Sequence, residues 1–150
     1  MSDNLLVDTN VLVYAAQVSH EKSEMANAIV ARLTAAARCW TTPQVVNEFY
    51  SSTTRPRAPE PFLTPPEAVA WIEAWLENAH WLDMTQHTSR EALRAAFEFQ
   101  MHIYDAQIWA VARIHNLAVL SEDAQSRPVI EDVVYVNPFA ESFQFSDIGL

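Results

Sequence analysis

Asn4-Leu5-Leu6-Val7-Asp8 carries the first decision: residues 4–7 form a short run, apolar from Leu5, that stops on a carboxylate. The run is too brief for a helix and reads as a buried strand. The same grammar recurs outward from it. Cys39 to Thr42 is a second short strand, and Pro43 behind it suits the first position of a helix capped by Thr42. That helix carries Val45, Val46, Glu48, Phe49 and Tyr50 and ends before Pro56. Further strands are expected at Trp81-Leu82-Asp83-Met84, Ala118-Val119-Leu120 and Val133-Val134-Tyr135-Val136. Helical spacing marks the stretches between them: 11–16; 22–37 with Met25, Ile29 and Leu33; from Thr64 or Pro65 with Val69, Ile72, Trp75 and Leu76; 89–101 with Ala92, Leu93, Ala96 and Phe97; and 105–115 with Ile108, Trp109 and Ala112. Pro56, Pro59, Pro61, Pro65 and Pro66 make 55–66 a loop. Short apolar strands alternating with helices predict a mostly parallel sheet covered on both faces, a three-layer α/β/α sandwich.

Composition narrows the function. At 150 residues, half of them hydrophobic, one domain over 1–150 is expected, with enough chain for a core. The single cysteine, Cys39, allows neither an internal disulfide nor a zinc–thiolate site, and it fits a reducing cytoplasm. Nine basic residues face 19 acidic ones, a net charge of −10. A tight, non-specific grip on nucleic acid through a basic face is therefore not expected. The only glycine, Gly149, excludes a glycine-rich phosphate loop and a dinucleotide fingerprint. No apolar run approaches the roughly 18 residues of a membrane span, and no basic-then-apolar leader opens the chain.

In open parallel sheets, ligands sit beyond the carboxyl ends of the strands. Asp8 directly follows the first strand, Glu48 lies in the helix after the second, Asp123 lies just past the 118–120 strand, and Asp105 begins the helix leading into it. Four carboxylates converging on one edge repel one another unless a cation joins them, and hard oxygen ligands suit Mg²⁺ or Mn²⁺. Each has a plain alternative. Asp8 and Asp105 are ordinary helix caps, Asp123 an ordinary turn residue, and Glu48, flanked by Val45 and Phe49, a carboxylate paired with an arginine.

Leu5-Leu6-Val7-Asp8-Thr9-Asn10-Val11-Leu12 resembles the opening motif of PIN-domain ribonucleases. Thr42-Pro43-Gln44-Val45-Val46-Asn47-Glu48-Phe49 resembles that family's second motif, with its glutamate. Tyr104-Asp105-Ala106-Gln107-Ile108-Trp109-Ala110-Val111-Ala112 is similar to the third, and Leu120-Ser121-Glu122-Asp123 to the fourth. The four stand in the family's order over residues 5 to 123, and the compact size resembles VapC-like toxins of toxin–antitoxin pairs. The resemblance implies a PIN-like fold and a metal-dependent endoribonuclease. It implies Asp8, Glu48, Asp105 and Asp123 as the catalytic, Mg²⁺- or Mn²⁺-binding set, with Asn10 and Ser121 as polar supports. It also implies an RNA substrate, an antitoxin partner and a homodimer. One departure is visible: such toxins often carry a second acid two positions after the fourth aspartate and then an aromatic, where this chain has Gln125 and Ser126. On this reading Arg55 and Arg57 are candidates for RNA backbone contacts.

Three other readings compete. An aspartyl-nucleophile phosphatase needs an acid at position 10, where Asn10 stands. A receiver domain needs a late lysine, and the only lysine is Lys22. A PIN-like binding module without catalysis is the remaining alternative. Trp71, Trp75, Trp81 and Trp109 are expected in core or interface, the five histidines show no paired ligand spacing, and Cys39 is expected to be a buried small hydrophobe.

Overall fold

The structure, a computed structural model, describes residues 4–56, 63–126 and 131–150. Five strands form one sheet: β1 (Leu5–Val7), β2 (Cys39–Thr41), β3 (His80–Trp81), β4 (Ala118–Leu120) and β5 (Tyr135–Val136). Their order is β3-β2-β1-β4-β5, and every pair is parallel. β1 is central: Leu5 pairs with Cys39 on one side and Ala118 on the other. The helices are α1 (Thr9–Ala16), α2 (Ser23–Ala35), α3 (Pro43–Thr54), α4 (Pro65–Leu76), α5 (Gln86–Glu98) and α6 (Ile103–Ile114). α1 packs on α2 and α3, α3 on α4, and α5 on α6, completing the three-layer α/β/α arrangement. None of them is long and apolar enough to cross a membrane.

Parallel strands joined by helices place all the strand carboxyl ends on one edge. The chain winds outward from β1 through β2 to β3, then returns to the other side of β1 for β4 and β5. The crevice between β1 and β4 is thus the point where the winding reverses, the usual ligand position in such sheets. The two central strands of the crevice are buried: Leu5, Leu6, Val7, Val119 and Leu120 are at most 1% exposed. Trp109 of α6, wholly buried, is the largest core side chain.

Several boundaries and faces differ from the sequence expectation. β3 is His80–Trp81 rather than 81–84, and Trp81 is 44% exposed on this edge strand, its Nε1 donating to Asp83 at 2.7 Å. β5 is only Tyr135–Val136. α2 is Ser23–Ala35 rather than 22–37. α5 begins earlier than expected because Thr85 caps the Thr88 amide, and it stops at Glu98, before Gln100 at φ 55°. α6 starts at Ile103, capped by His102, so Asp105 is the helix's third residue and not its cap. Met25, Val69, Leu93 and Phe97 are exposed. The buried faces run instead through Ala26, Ile29 and Leu33 of α2, Ala68 and Trp75 of α4, and Thr88, Ala92 and Ala95 of α5. Cys39 is buried, as expected.

With almost no glycine, the chain turns out of its helices on other residues. α2 ends with the Arg38 amide bonding the Leu33 carbonyl (3.0 Å) and the Ala37 amide bonding Thr34 (3.1 Å), a double closure that needs left-handed backbone at Ala37, φ 53°. The alanine methyl makes that conformation costly, and alanine has no polar side chain to compensate for it. Ala37→Gly is therefore expected to stabilise the protein by about 1 kcal/mol in urea unfolding, with an unchanged m value.

Candidate active site

The β1–β4 crevice is built around two side chains. Asp8 is the N-cap of α1: one carboxylate oxygen accepts from the Thr9 amide (2.7 Å) and the other from the Ser121 hydroxyl (2.7 Å). The Asp8 amide itself bonds the Leu120 carbonyl at 2.9 Å, which extends the β1–β4 ladder to the site. Ser121, fully buried, also accepts from Asn10 Nδ2 and from the Asp123 amide, both at 3.1 Å. Asn10 Oδ1 accepts the Glu122 amide at 3.2 Å. Asp8 thus is a cap, as its plain reading held, and also part of a polar lattice that fixes the start of the 3₁₀ turn Glu122–Ser126. Asp123 thus lies in a turn, as its plain alternative had it.

Glu48 arrives from the other side. Val45 and Phe49 bury the inner face of α3, leaving Glu48 half-buried at the crevice. Thr9 Oγ1 donates to one of its oxygens (3.1 Å) and Gln44 Nε2 to the other (3.3 Å). Its partners are thus neutral, rather than the arginine of the alternative reading. The same Gln44 amide donates to the Tyr104 carbonyl at 2.7 Å, tying α3 to the first turn of α6, where Asp105 sits.

Asp8, Glu48, Asp105 and Asp123 all line one open cleft of about 970 Å³, together with Asn10, Tyr14, Gln44 and Arg55. Arg55 is the only basic side chain among the described residues of the lining; it is exposed, with Ser51 Oγ accepting from it at 3.4 Å. Arg57 lies outside the described residues. Burial pushes the Asp8 carboxyl above its ordinary value; the bonds from Ser121 and Thr9 oppose that, and repulsion from Asp123 and Glu48 adds to it.

The donor set suits a hard divalent cation. It offers carboxylate oxygens with lone pairs to spare, and Gln44 Oε1 is buried without a hydrogen-bond partner among the described residues. Among the described residues, no group of three or more His, Cys, Asp or Glu side chains is already placed to hold an ion. Mg²⁺ retains several waters and uses only one or two carboxylates, so such a closed group is not required.

The family model for the PIN domain matches residues 5–129. The chain belongs to the PIN-domain family. No curated protein matches it by sequence. Among solved structures, this PIN domain is similar to VapBC2 of Rickettsia felis bound to a promoter DNA fragment, at TM-score 0.68 and 12% identity over 89% of this chain and 97% of that one. It is similar to FitAcB of Neisseria gonorrhoeae, at TM-score 0.64 and 20% identity over 90% and 98%. It is also similar to VapC20 of Mycobacterium tuberculosis, a toxin that cleaves the sarcin–ricin loop, at TM-score 0.62 and 18% identity over 77% and 87%. At these identities the likeness is one of fold.

Thr9, Gln44 and Tyr14 belong to this PIN-domain cleft and were not singled out from the sequence. Thr9 sits inside the opening motif, and Gln44 stands one helical turn before Glu48, a spacing that places two side chains together. Tyr14 carried no such signal.

The raised Asp8 carboxyl has a calculable sign. Its protonated form is favoured in the fold, so its contribution to stability is present below the ordinary value of 3.8 and is lost as pH rises through the raised one. In metal-free protein, the unfolding free energy of wild type minus that of Asp8→Asn is expected to fall with pH across that window. Carbon-13 NMR should show Asp8 titrating lower in Asp123→Asn and in Glu48→Gln, since each removes a repelling charge.

Proposed function

We propose that this PIN domain is a metal-dependent endoribonuclease that hydrolyses RNA phosphodiester bonds as the toxin of a toxin–antitoxin pair. The observation that carries the reading is the meeting of Asp8, Glu48, Asp105 and Asp123 on one cleft where the winding of the sheet reverses. Family membership supports a nuclease. The fold likeness to toxin–antitoxin complexes and to an RNA-cleaving toxin supports an antitoxin protein as partner and RNA as substrate. A homodimer and a cytoplasmic location complete the reading.

Asp8 and Asp105 would hold Mg²⁺ or Mn²⁺ directly. Glu48 would coordinate or orient the attacking water, and Asp123 would hold a second ion or a metal-bound water. When bound, the metal supplies charge neutralisation and a reactive water at neutral pH. The chain supplies geometry. The Thr9 amide and the Ser121 hydroxyl hold the Asp8 carboxylate in one rotamer, and Thr9 Oγ1 and Gln44 do the same for Glu48. Asn10 supports Ser121 and the Asp123 turn from behind. Arg55, at the cleft wall, meets a backbone phosphate. Arg57 is a second candidate for that role.

A catalytically weak binding module is the second reading; the observation in its favour is Gln125 at the position where such toxins often carry an acid.

Purified protein offered structured tRNA and an unstructured oligonucleotide decides between them. With Mg²⁺ or Mn²⁺ cleavage is expected, and with EDTA none. Ser121→Ala should lose about 10–100-fold in rate, the usual effect of removing a ligand's support, and Asp8→Asn and Asp105→Asn should lose more than that. Cleavage that survives EDTA and both aspartate substitutions overturns the mechanism. No cleavage by folded, inhibitor-free protein favours the binding module.

A further inference from the structure

The chain's one lysine stands just before α2, in the connection from α1, 100 residues before Glu122. Its ammonium pairs with Glu122 Oε1. The Tyr14 hydroxyl donates to the other oxygen of Glu122 at 2.6 Å. The ammonium also lies 5.0 Å from the Tyr14 ring centroid and 5.5 Å from that of Phe139, over two aromatic faces. His20 packs on Tyr14 with ring centroids 4.6 Å apart, and its Nδ1 accepts the Lys22 amide at 3.1 Å.

What this cluster grips is the turn that carries Asp123. The Glu122 amide is held by Asn10 and the Asp123 amide by Ser121, so backbone and side chain are anchored from opposite sides. A five-residue 3₁₀ turn has little stability of its own. Glu122 and Asp123 are neighbouring acids, and without a cation on the first both would face a cleft that already holds three carboxylates. In the structure Asp123 lines the cleft and Glu122 does not.

We propose that Lys22 is a positioning residue: through Glu122 it fixes the turn that presents Asp123 to the cleft, and it keeps the Glu122 carboxylate out of that cleft. The proposal rests on the reading of Asp123 as a metal-holding residue.

The full-length chain tests it in two measurements, amide hydrogen exchange without metal and Mn²⁺ affinity by calorimetry with the metal alone. Lys22→Met is expected to speed exchange at Glu122 and Asp123 by about tenfold and to weaken Mn²⁺ binding by about tenfold, the scale on which losing a support weakens a metal site. The Val119 amide of β4, bonded to Val134, should keep its protection. Lys22→Arg, which restores the charge, should recover most of both losses. If Lys22→Met also exposes Val119, Glu122→Gln replaces it, with the same expectation at Asp123. Unchanged exchange and unchanged Mn²⁺ affinity in Lys22→Met or Glu122→Gln, beside an Asp123→Asn variant that binds Mn²⁺ poorly, overturn the positioning role and leave the metal reading standing. Wild-type Mn²⁺ affinity in Asp123→Asn overturns both.

Discussion

The Ser121 hydroxyl is the node on which the site depends. A serine oxygen has one hydrogen to give and two lone pairs to receive. Here the hydrogen goes to Asp8 and the lone pairs accept Asn10 and the Asp123 amide. Every bonding direction is used, so the arrangement admits one rotamer. The oxygen is fully buried, and leaving any of these partners unmatched would cost about 1–3 kcal/mol. The residue follows β4 directly, as Asp8 follows β1, so the central ladder of the sheet is continued by side chains beyond its last backbone bond. The rigidity of the buried sheet is thereby carried to the carboxylates.

That rigidity has an electrostatic cost. Among the described residues, the partners of Asp8 and Glu48 are neutral donors: an amide, two hydroxyls and a carboxamide. Neutral donors orient a carboxylate without cancelling its charge. The raised Asp8 carboxyl records the remainder, burial first and the two neighbouring acids after it. Other acids of this protein are paired with cations: Arg94 of α5 and Arg113 of α6 draw in Glu91 and Glu98 of α5 and Glu131 before β5. The contrast is local. Glu91 and Glu98 of α5 are neutralised by arginines, while Asp8 at the end of β1 and Glu48 on α3 are held by groups that leave their charge available.

The centre of the sheet was legible because β1 and β4 are buried on both faces, so that Leu5-Leu6-Val7 and Ala118-Val119-Leu120 are apolar without alternation. The acids were legible for the same reason: each stands where such a run ends, or, like Glu48, beside residues that must face inward. The helix faces were less readable. Met25, Val69, Leu93 and Phe97 follow helical spacing but lie outside, because alanines do the close packing. Ala26, Ala68, Ala92 and Ala95 let neighbouring elements approach closely, and a small buried side chain gives a weaker signal than a large exposed one. The Lys22–Glu122 contact was invisible because 100 residues separate its partners and neither element's pattern announces the other.

Charge distribution links the fold to the proposed chemistry. A chain of net charge −10 repels a polyanion at long range, and only Arg55 among the described lining residues offers a positive charge in the cleft. A phosphate entering between four carboxylates therefore needs a cation that the side chains do not provide. Under the proposed reading the acids are the means of recruiting one: their mutual repulsion makes the metal-free cleft unfavourable, and a divalent ion would relieve that repulsion as it created a positive centre for phosphate. Affinity for RNA then depends on the ion more than on a basic surface, so few counterions are displaced from the nucleic acid and binding responds weakly to monovalent salt. Under the proposed reading, acidity and phosphate chemistry are compatible because the protein's charge acts on the metal and the metal's charge acts on the substrate.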